Sequence, residues 1–177
     1  MIGINNPCPL LDYSQYAALV AHTKMSSWSL LFTASQHNFS AAAFHQHCDG
    51  KGPTITVVKA ANGRVFGGYT SVSWAASGGH QQDPSSVLFA CGPSGVRLFR
   101  IKPDCISQAV YHYSSYGPTF GVNGDMYLSN QCHSNTSSDS NLPHSFTASD
   151  GGEPSYTTLA GSNTFTVAEY QVFAVKQ

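Results

Sequence analysis

Charged residues are scarce in this chain. Lys and Arg total 8 and Asp and Glu total 9 among 177 residues, or 10%, against about 25% in an average soluble protein. Ser, Thr, Asn, Gln, His and Gly must therefore form most of the surface, which favours a domain that works inside an assembly. The net charge is −1 and no cluster of Lys and Arg occurs, so we expect no binding to nucleic acid or to anionic membranes.

Long apolar runs are also missing. None reaches the roughly 18 residues that a membrane-spanning helix needs, so we expect no membrane insertion. The first residues lack a basic start, a long apolar stretch and a cleavage site, which argues against a signal peptide. We therefore expect a cytoplasmic location, with a nuclear one as the alternative.

Cysteine pairs with C-x-x-C spacing are absent as well. The cysteine count is odd, which argues against a disulfide framework and favours free thiols in a reducing compartment. The five cysteines are Cys8, Cys48, Cys91, Cys105 and Cys132.

Two short helices are predicted. Apolar spacing indicates one over residues 13–22. Ser40 is an N-cap candidate for the second, which runs through Cys48 and places Phe44 and Cys48 on one face. Residues 1–12 read as an N-terminal tail, and residues 13–177 as a single domain without internal repeats.

Strand patterns and turns fill most of the remaining chain. Asn62-Gly63 predicts a hairpin with a type I′ turn, in which both residues have positive φ. Gly67-Gly68 predicts a bulge or a close backbone approach. The apolar alternation of the last strand shifts phase between Val167 and Tyr170, which predicts a bulge near Ala168-Glu169. Residues 134–142 are polar, so we expect this loop not to pack against the core. The strand patterns lie at residues 28–33, 54–60, 64–70, 86–91, 96–101, 125–129 and 164–175. They indicate an antiparallel α+β domain.

Several short motifs occur in a fixed order along the chain. WSLLF at 28–32 precedes Ser35, FHQHCD at 44–49 precedes GPT at 52–54, and FGGYT at 66–70 precedes Trp74 and SVLF at 86–89. GPTFG at 117–121 precedes DMYL at 125–128, and LAG at 159–161 precedes FTVAEYQV at 165–172. In this order and spacing they resemble the TLDc domain family over roughly residues 14–175. The matching residues that we single out are Trp28, Phe44, His45, Cys48, Asp49, Phe66, Gly67, Gly68, Tyr69, Trp74, Gly117, Pro118, Phe120, Gly121, Asp125, Gly161 and Glu169.

The resemblance implies two antiparallel β-sheets packed as a sandwich and flanked by short helices. It also implies two family properties: protection against oxidative damage, and binding to the vacuolar-type proton-pumping ATPase. One departure is that Gln171 replaces the second Glu of the family's closing E-x-E, and another is Ala160, where Thr is common.

The densest group of ligand-type residues is His45, His47, Cys48 and Asp49. On a helix His45 and Cys48 share a face whereas His47 points elsewhere, and tetrahedral zinc needs four converging ligands. Cys132-His133 is the only other adjacent pair of Cys and His. We expect no metal or cofactor here, and expect His45 and Cys48 to pack beneath the hairpin.

Cys48 is also the candidate for a peroxidatic thiol. A reactive cysteine needs a helix N-terminus or a cationic neighbour, whereas Cys48 lies near a helix C-terminus beside Asp49. We expect an inert thiol. Glu169 in the last strand needs a hydrogen-bond partner or the surface, and Asp125 is expected to cap a turn.

Tyr111, Tyr113 and Tyr116 form an aromatic segment before Gly117-Pro118. An exposed tyrosine cluster with few charges nearby is typical of a protein-binding surface, and packing at the edge of the sandwich is the equal alternative. The sequence favours a non-catalytic interaction domain with protein partners, and the resemblance implies that these are peripheral subunits of the ATPase. The two alternatives are a thiol-based antioxidant enzyme using Cys48 and a structural subunit of a larger assembly.

Overall fold

A computed structural model describes residues 5–177. The two predicted helices are confirmed as α1 (Tyr13–Thr23) and α2 (Ala41–Cys48). The Asp12 carboxylate accepts the Gln15 backbone N–H at the start of α1, and the Ser40 hydroxyl accepts the Ala43 N–H at the start of α2. Local capping chemistry therefore fixes where both helices begin.

The larger of two β-sheets carries most of the framework. It has seven strands in the order β1-β13-β2-β3-β5-β6-β11, and every neighbouring pair is antiparallel. The strands are β1 (Ser27–Thr33), β2 (Thr54–Ala60), β3 (Val65–Thr70), β5 (Val87–Gly92), β6 (Gly95–Ile101), β11 (Phe146–Ala148) and β13 (Val167–Lys176).

The smaller sheet consists of two-residue strands. Its order is β12-β10-β9-β8-β7-β4, again antiparallel. The strands are β4 (His80–Gln81), β7 (Val110–Tyr111), β8 (Thr119–Phe120), β9 (Met126–Tyr127), β10 (Ser138–Asp139) and β12 (Thr164–Phe165). Two antiparallel sheets with short helices confirm the predicted α+β sandwich.

The larger sheet is buried on both faces. On β13, Tyr170 and Val172 belong to a core cluster with Phe44 of α2 and Phe120 of β8. The alternate residue Phe173 belongs to a second cluster with α1. Since successive strand residues point to opposite faces, the smaller sheet and α2 cover one face and α1 covers the other.

The second cluster also includes residues from the segment before α1. Cys8 and Leu11 are buried in it, beside Tyr16, Leu19 and the family-motif residue Trp28. The division into a tail of residues 1–12 and a domain of residues 13–177 stays a prediction. The burial of these two side chains favours a domain boundary before Cys8.

The hairpin between β2 and β3 differs from the prediction. Gly63 has φ of +89°, but Asn62 is not among the residues with positive φ, so the turn is not type I′. Instead, Gly63 N–H donates to the Ala60 carbonyl, and Asn62 Nδ2 donates to the distant Ala160 carbonyl at 2.7 Å. This bond to another part of the chain holds Asn62 in a longer turn, which ends on the left-handed Gly63.

Gly67 and Gly68 form no bulge, which corrects that part of the prediction. Both pair in regular register with β2 and β5. A Cβ at Gly67 would overlap the Thr56 carbonyl oxygen, and one at Gly68 would lie 2.7 Å from the Phe120 ring. The two glycines thus allow the close approach that was the other predicted explanation.

Two more local predictions have opposite outcomes. The register of β13 against β2 shifts between Val167 and Glu169, which confirms the predicted bulge. The polar residues 134–142 do pack, contrary to expectation, because Ser138 and Ser140 are fully buried and Leu142 lies in the core. Within residues 5–177, no helix combines the length and apolar character needed to cross a bilayer.

Candidate interaction surface

The three singled-out tyrosines lie together at the surface. The rings of Tyr111 and Tyr113 stack with centroids 6.0 Å apart, and the Tyr113 and Tyr116 rings are 4.9 Å apart. Tyr113 is 43% exposed, and the other two are partly exposed. Aromatic area that remains accessible in this way is available to a partner.

Tyr127 extends this group to four rings. It lies on β9, and its ring centroid is 4.7 Å from that of Tyr116. We call Tyr111, Tyr113, Tyr116 and Tyr127 the tyrosine cluster. Strand alternation explains its position, because Val110 and Met126 point into the core whereas their neighbours Tyr111 and Tyr127 point outwards.

His45 holds the tyrosine segment against α2. Its Nε2 atom lies 3.0 Å from the Tyr113 carbonyl oxygen and 3.1 Å from that of Tyr116, and its Nδ1 atom lies 2.8 Å from Asp49 Oδ1. The ring therefore bridges the end of α2 and the loop that carries two of the tyrosines. His45 and Asp49 thus position the candidate surface.

The other ligand-type residues beside His45 do not converge with it. His47 Nδ1 lies 2.8 Å from the Ala43 carbonyl oxygen, and its ring packs 4.3 Å from that of His37. Cys48 is fully buried in the core. Among the residues that the structure describes, no group of three or more His, Cys, Asp or Glu side chains could hold a metal ion.

The Cys48 thiol has the environment of an unreactive cysteine. Burial, and then the adjacent Asp49 carboxylate, raise its pKa well above the ordinary value. Cys132 is buried too, and burial raises its pKa to about 12. Since the thiolate is the nucleophilic form, both side chains are suited to packing.

Several family-motif aromatic residues build the core behind the cluster. Trp74 is buried, its Nε1 donates to Thr54 Oγ1 at 2.9 Å, and its ring lies 5.5 Å from the rings of Phe44 and Phe120. Phe66 is buried in the same cluster, and Tyr69 belongs to the second one.

Asp125 ties the smaller sheet to β11. It is fully buried and accepts backbone N–H groups from Ser145 and Phe146 at 2.8 to 3.1 Å. Burial raises its pKa, although these hydrogen bonds oppose the effect. Contrary to expectation, Asp125 therefore does not cap a local turn but binds backbone N–H groups about 20 residues further along the chain. Gly121, at φ +85°, is pressed against the Asp125 carboxylate and leaves no room for a Cβ.

The remaining motif residues lie at chain crossings. Glu169 accepts the Ser35 N–H at 3.1 Å as well as the Ser35 hydroxyl, so it has the partner that a carboxylate in this strand needs. The Gly117 N–H donates to the Leu128 carbonyl, and the Leu128 N–H donates to the Pro118 carbonyl. A Cβ on Gly161 would meet the Arg64 side chain at 2.9 Å.

A cavity opens beside the tyrosine cluster, with a volume of about 400 Å³. Its wall includes Tyr111, Tyr116 and Tyr127, together with His80 and Asp139. Burial raises the pKa of Asp139 and lowers that of His80. A second, more open cleft of about 550 Å³ lies at the β5–β6 turn, but its Arg97 is already paired with Asp150 at 2.8 Å.

Sequence reasoning missed Tyr127, His80 and Asp139. His80 and Asp139 lie in strands of only two residues, which are too short for alternation to be recognised. Tyr127 lies in a strand that the sequence does predict, but its contact with Tyr116 joins two separate segments of the chain and has no local signal. The one signal in the sequence is an apolar or small residue followed directly by a polar or amphipathic one, as in Met126-Tyr127 and Ser138-Asp139.

Comparison with known proteins agrees with the fold and the motifs. The MTOR-associated protein MEAK7 of Gallus gallus is 32% identical over 101 residues, which cover 57% of this chain and 18% of that protein. The MEAK7 protein of Danio rerio is 32% identical over 85 residues, or 48% and 18% of the two chains. TBC1 domain family member 24 of Xenopus laevis is 31% identical over 75 residues, or 42% and 13%.

This chain therefore spans less than a fifth of the length of these relatives. The family model for the TLDc domain matches residues 4–176. Because that match covers almost the whole sequence, the chain belongs to the TLDc domain family.

Proposed function

We propose that this chain is a non-catalytic protein-interaction domain whose tyrosine cluster contacts the partner. The observation that carries the proposal is the packing of four tyrosine rings on the outer side of the smaller sheet, with Tyr113 43% exposed. Tyrosine is enriched in protein interfaces because it offers a large apolar face and a polar tip at low entropic cost.

The use of the polar motif residues supports a non-catalytic role. His45 binds both Asp49 and the tyrosine loop, Glu169 binds Ser35, and Asp125 binds backbone N–H groups. Each of these groups is engaged in holding the fold. The thiol-based alternative would need an accessible thiolate, whereas Cys48 is fully buried with a raised pKa.

The partner we propose is the peripheral, cytoplasm-facing part of the vacuolar-type proton-pumping ATPase. This assignment rests on the family resemblance, as does the proposed link to oxidative-stress resistance. The chain would act in the cytoplasm and regulate assembly of the pump. The MEAK7 relatives are named as MTOR-associated proteins, which makes an MTOR-containing assembly the alternative partner.

Affinity purification with quantitative identification of partners tests the proposal. The wild type and Tyr113→Ser would be compared under resting and oxidising conditions, with Tyr13→Ser as the matched control, since Tyr13 is 56% exposed outside the cluster. We expect the wild type and the control to capture the ATPase subunits and Tyr113→Ser to capture markedly less.

Two results would count against the proposal. Equal capture of partners by Tyr113→Ser and by the control would show that the tyrosine cluster does not contact the partner. Absence of ATPase subunits from wild-type captures would reject that partner, and recovery of MTOR-assembly proteins instead would favour the alternative.

A further inference from the structure

The cavity beside the tyrosine cluster has two kinds of wall. Tyr111, Tyr116 and Tyr127 provide aromatic faces, and Asp139 provides a carboxylate. The Tyr111 and Tyr116 rings are inclined by 49° with centroids 6.0 Å apart, and those of Tyr116 and Tyr127 by 57° at 4.7 Å. Rings that meet at such angles form a corner that can face a single group from more than one side.

In the described part of the chain, the carboxylate in this corner has no cationic partner. Asp139 Oδ1 accepts a hydrogen bond from Asn141 Nδ2 at 3.3 Å. Within residues 5–177, the ion pairs are His45–Asp49 and Arg97–Asp150, so no Lys or Arg neutralises Asp139. The residues that line the cavity include no Lys or Arg either.

His80 adds no positive charge that would repel a cation. Burial lowers its pKa, which favours the neutral ring at neutral pH. Its Nδ1 atom is buried and has no hydrogen-bond partner among the described residues. The cavity therefore presents a net negative charge beside the electron-rich faces of aromatic rings.

The pieces of this site are fixed by strand pairing. Asp139 of β10 lies opposite Tyr127 of β9, and Tyr127 lies opposite Thr119 of β8. His80 of β4 lies opposite Tyr111 of β7. Residues that are directly opposite in an antiparallel pair share a face, so the sheet itself brings the carboxylate and the rings to one side.

We infer that this cavity receives an arginine side chain of a protein partner, an inference that rests on the proposed interaction role. A cation over aromatic faces is attracted by their quadrupoles. A guanidinium group is planar and weakly hydrated, stacks on aromatic rings and can also donate to a carboxylate. Aromatic walls with one unpaired carboxylate match those properties better than they match a strongly hydrated ammonium group.

Titration of the purified protein with short peptides tests the inference. The probe is acetyl-Gly-Gly-Arg-Gly-Gly-amide, compared with peptides carrying citrulline, lysine or trimethyllysine in place of arginine. Binding is followed by NMR shifts of the tyrosine rings and of the backbone amides in β7 to β10. We expect saturable shifts with the arginine peptide and at least about fivefold weaker binding of the neutral citrulline peptide.

Asp139→Asn is the decisive variant, with Asp104→Asn as the control at an exposed carboxylate outside the cavity. The first should weaken arginine-peptide binding by about fivefold or more and reduce its salt dependence, whereas the control should not. Folding of Asp139→Asn is checked by its amide spectrum. Since the pKa of Asp139 is raised, ionisation opposes folding as pH increases through that pKa, and asparagine removes this effect.

Equal binding of the arginine and citrulline peptides, or shifts that map away from the cavity, would overturn the inference. Tighter binding of the lysine or trimethyllysine peptide would overturn the assignment to guanidinium. The peptide test needs no cellular partner, so it can succeed even if the proposed function fails. If partner capture depends on Tyr113 but not on Asp139, the arginine inference fails alone.

Discussion

The Asp83 side chain connects the end of β3 to the loop that follows this strand. Asp83 is fully buried and accepts from the Thr70 and Ser71 hydroxyls at 2.7 Å and from the Ser85 N–H at 3.0 Å. An aspartate that accepts several hydrogen bonds in this way replaces the water lost on burial. Asp83 was not singled out from the sequence, because its partners become neighbours only after β3 and the following loop fold together.

Substitution of the paired glycines should reveal how closely the layers approach. Gly67→Ala would drive a Cβ into the Thr56 backbone oxygen, whereas Gly68→Ala would meet the Phe120 ring and Leu88 Cδ2 at 2.7 to 2.9 Å. Side chains can shift more easily than a backbone. We expect Gly68→Ala to lower the free energy of unfolding by about 1 to 3 kcal/mol and Gly67→Ala by more.

Urea unfolding at equilibrium measures this order. Gly92→Ala is the matched control, because a Cβ there meets nothing within 4 Å and its effect should stay within about 0.5 kcal/mol. A Gly67→Ala protein as stable as Gly92→Ala would show that the strands are not held this close.

At the scale of elements, helix α1 serves as the cover of one sheet face. Tyr16 and Leu19 point into the second core cluster, where the Tyr16 and Trp28 rings form a T-shaped pair with centroids 4.9 Å apart. An isolated helix of 11 residues is marginal in water. Its stability therefore depends on this packing and on the cap at Asp12.

Asp12→Ala should loosen this cover. The Asp12 carboxylate accepts the Gln15 N–H at 2.8 Å, and Gln15 Oε1 accepts the Asp12 N–H at 3.0 Å. Alanine removes the first of these bonds but keeps the backbone N–H of the second, and loss of the carboxylate cap should cost about 1 kcal/mol of unfolding free energy. Ser14→Ala, on the exposed side of the same helix, should change stability by no more than about 0.5 kcal/mol.

Amide hydrogen exchange separates the two variants. Faster exchange confined to α1 in Asp12→Ala is the expected result, since the cap acts locally. Uniform acceleration across the larger sheet, or equal behaviour of both variants, would contradict the role assigned to the cap.

At the scale of the whole molecule, local patterns predicted more than long-range contacts did. The β2 strand and the α2 helix were predicted well because β-branched runs and a Ser N-cap act within a few residues. The hairpin type was wrong because Asn62 bonds to Ala160, 98 residues away. Residues 134–142 pack because their two-residue strand joins a sheet assembled from distant segments, and for the same reason Asp139 was missed as part of the candidate site.

The buried cysteines should report unfolding of the whole domain. Cys8, Cys48 and Cys132 are fully buried, and burial raises the pKa of Cys8 to about 11 and that of Cys132 to about 12. At pH 7.4 a thiol with a pKa raised in this way is almost entirely protonated, and the protonated form is not nucleophilic. We therefore expect these thiols to react with a thiol reagent only as fast as the protein opens.

The measurement uses a protein in which the two partly exposed cysteines, Cys91 and Cys105, are replaced by serine. Labelling should be slow in buffer and accelerate in parallel with urea unfolding. Rapid labelling of Cys48 in the folded protein would contradict its burial and revive the thiol-based alternative. Wild type serves as the control, in which the two partly exposed thiols should react first.

The anchoring of the tyrosine cluster has a kinetic consequence. The Phe120 ring of β8 packs directly on the Gly68 backbone, and His45 hydrogen-bonds the Tyr113–Tyr116 loop to α2. Because these two contacts fix the surface, it need not change conformation before a partner binds. Association should therefore proceed close to the rate of rigid-body docking. Substitutions in the cluster should therefore act mainly on how long a complex survives, and only weakly on how quickly it forms.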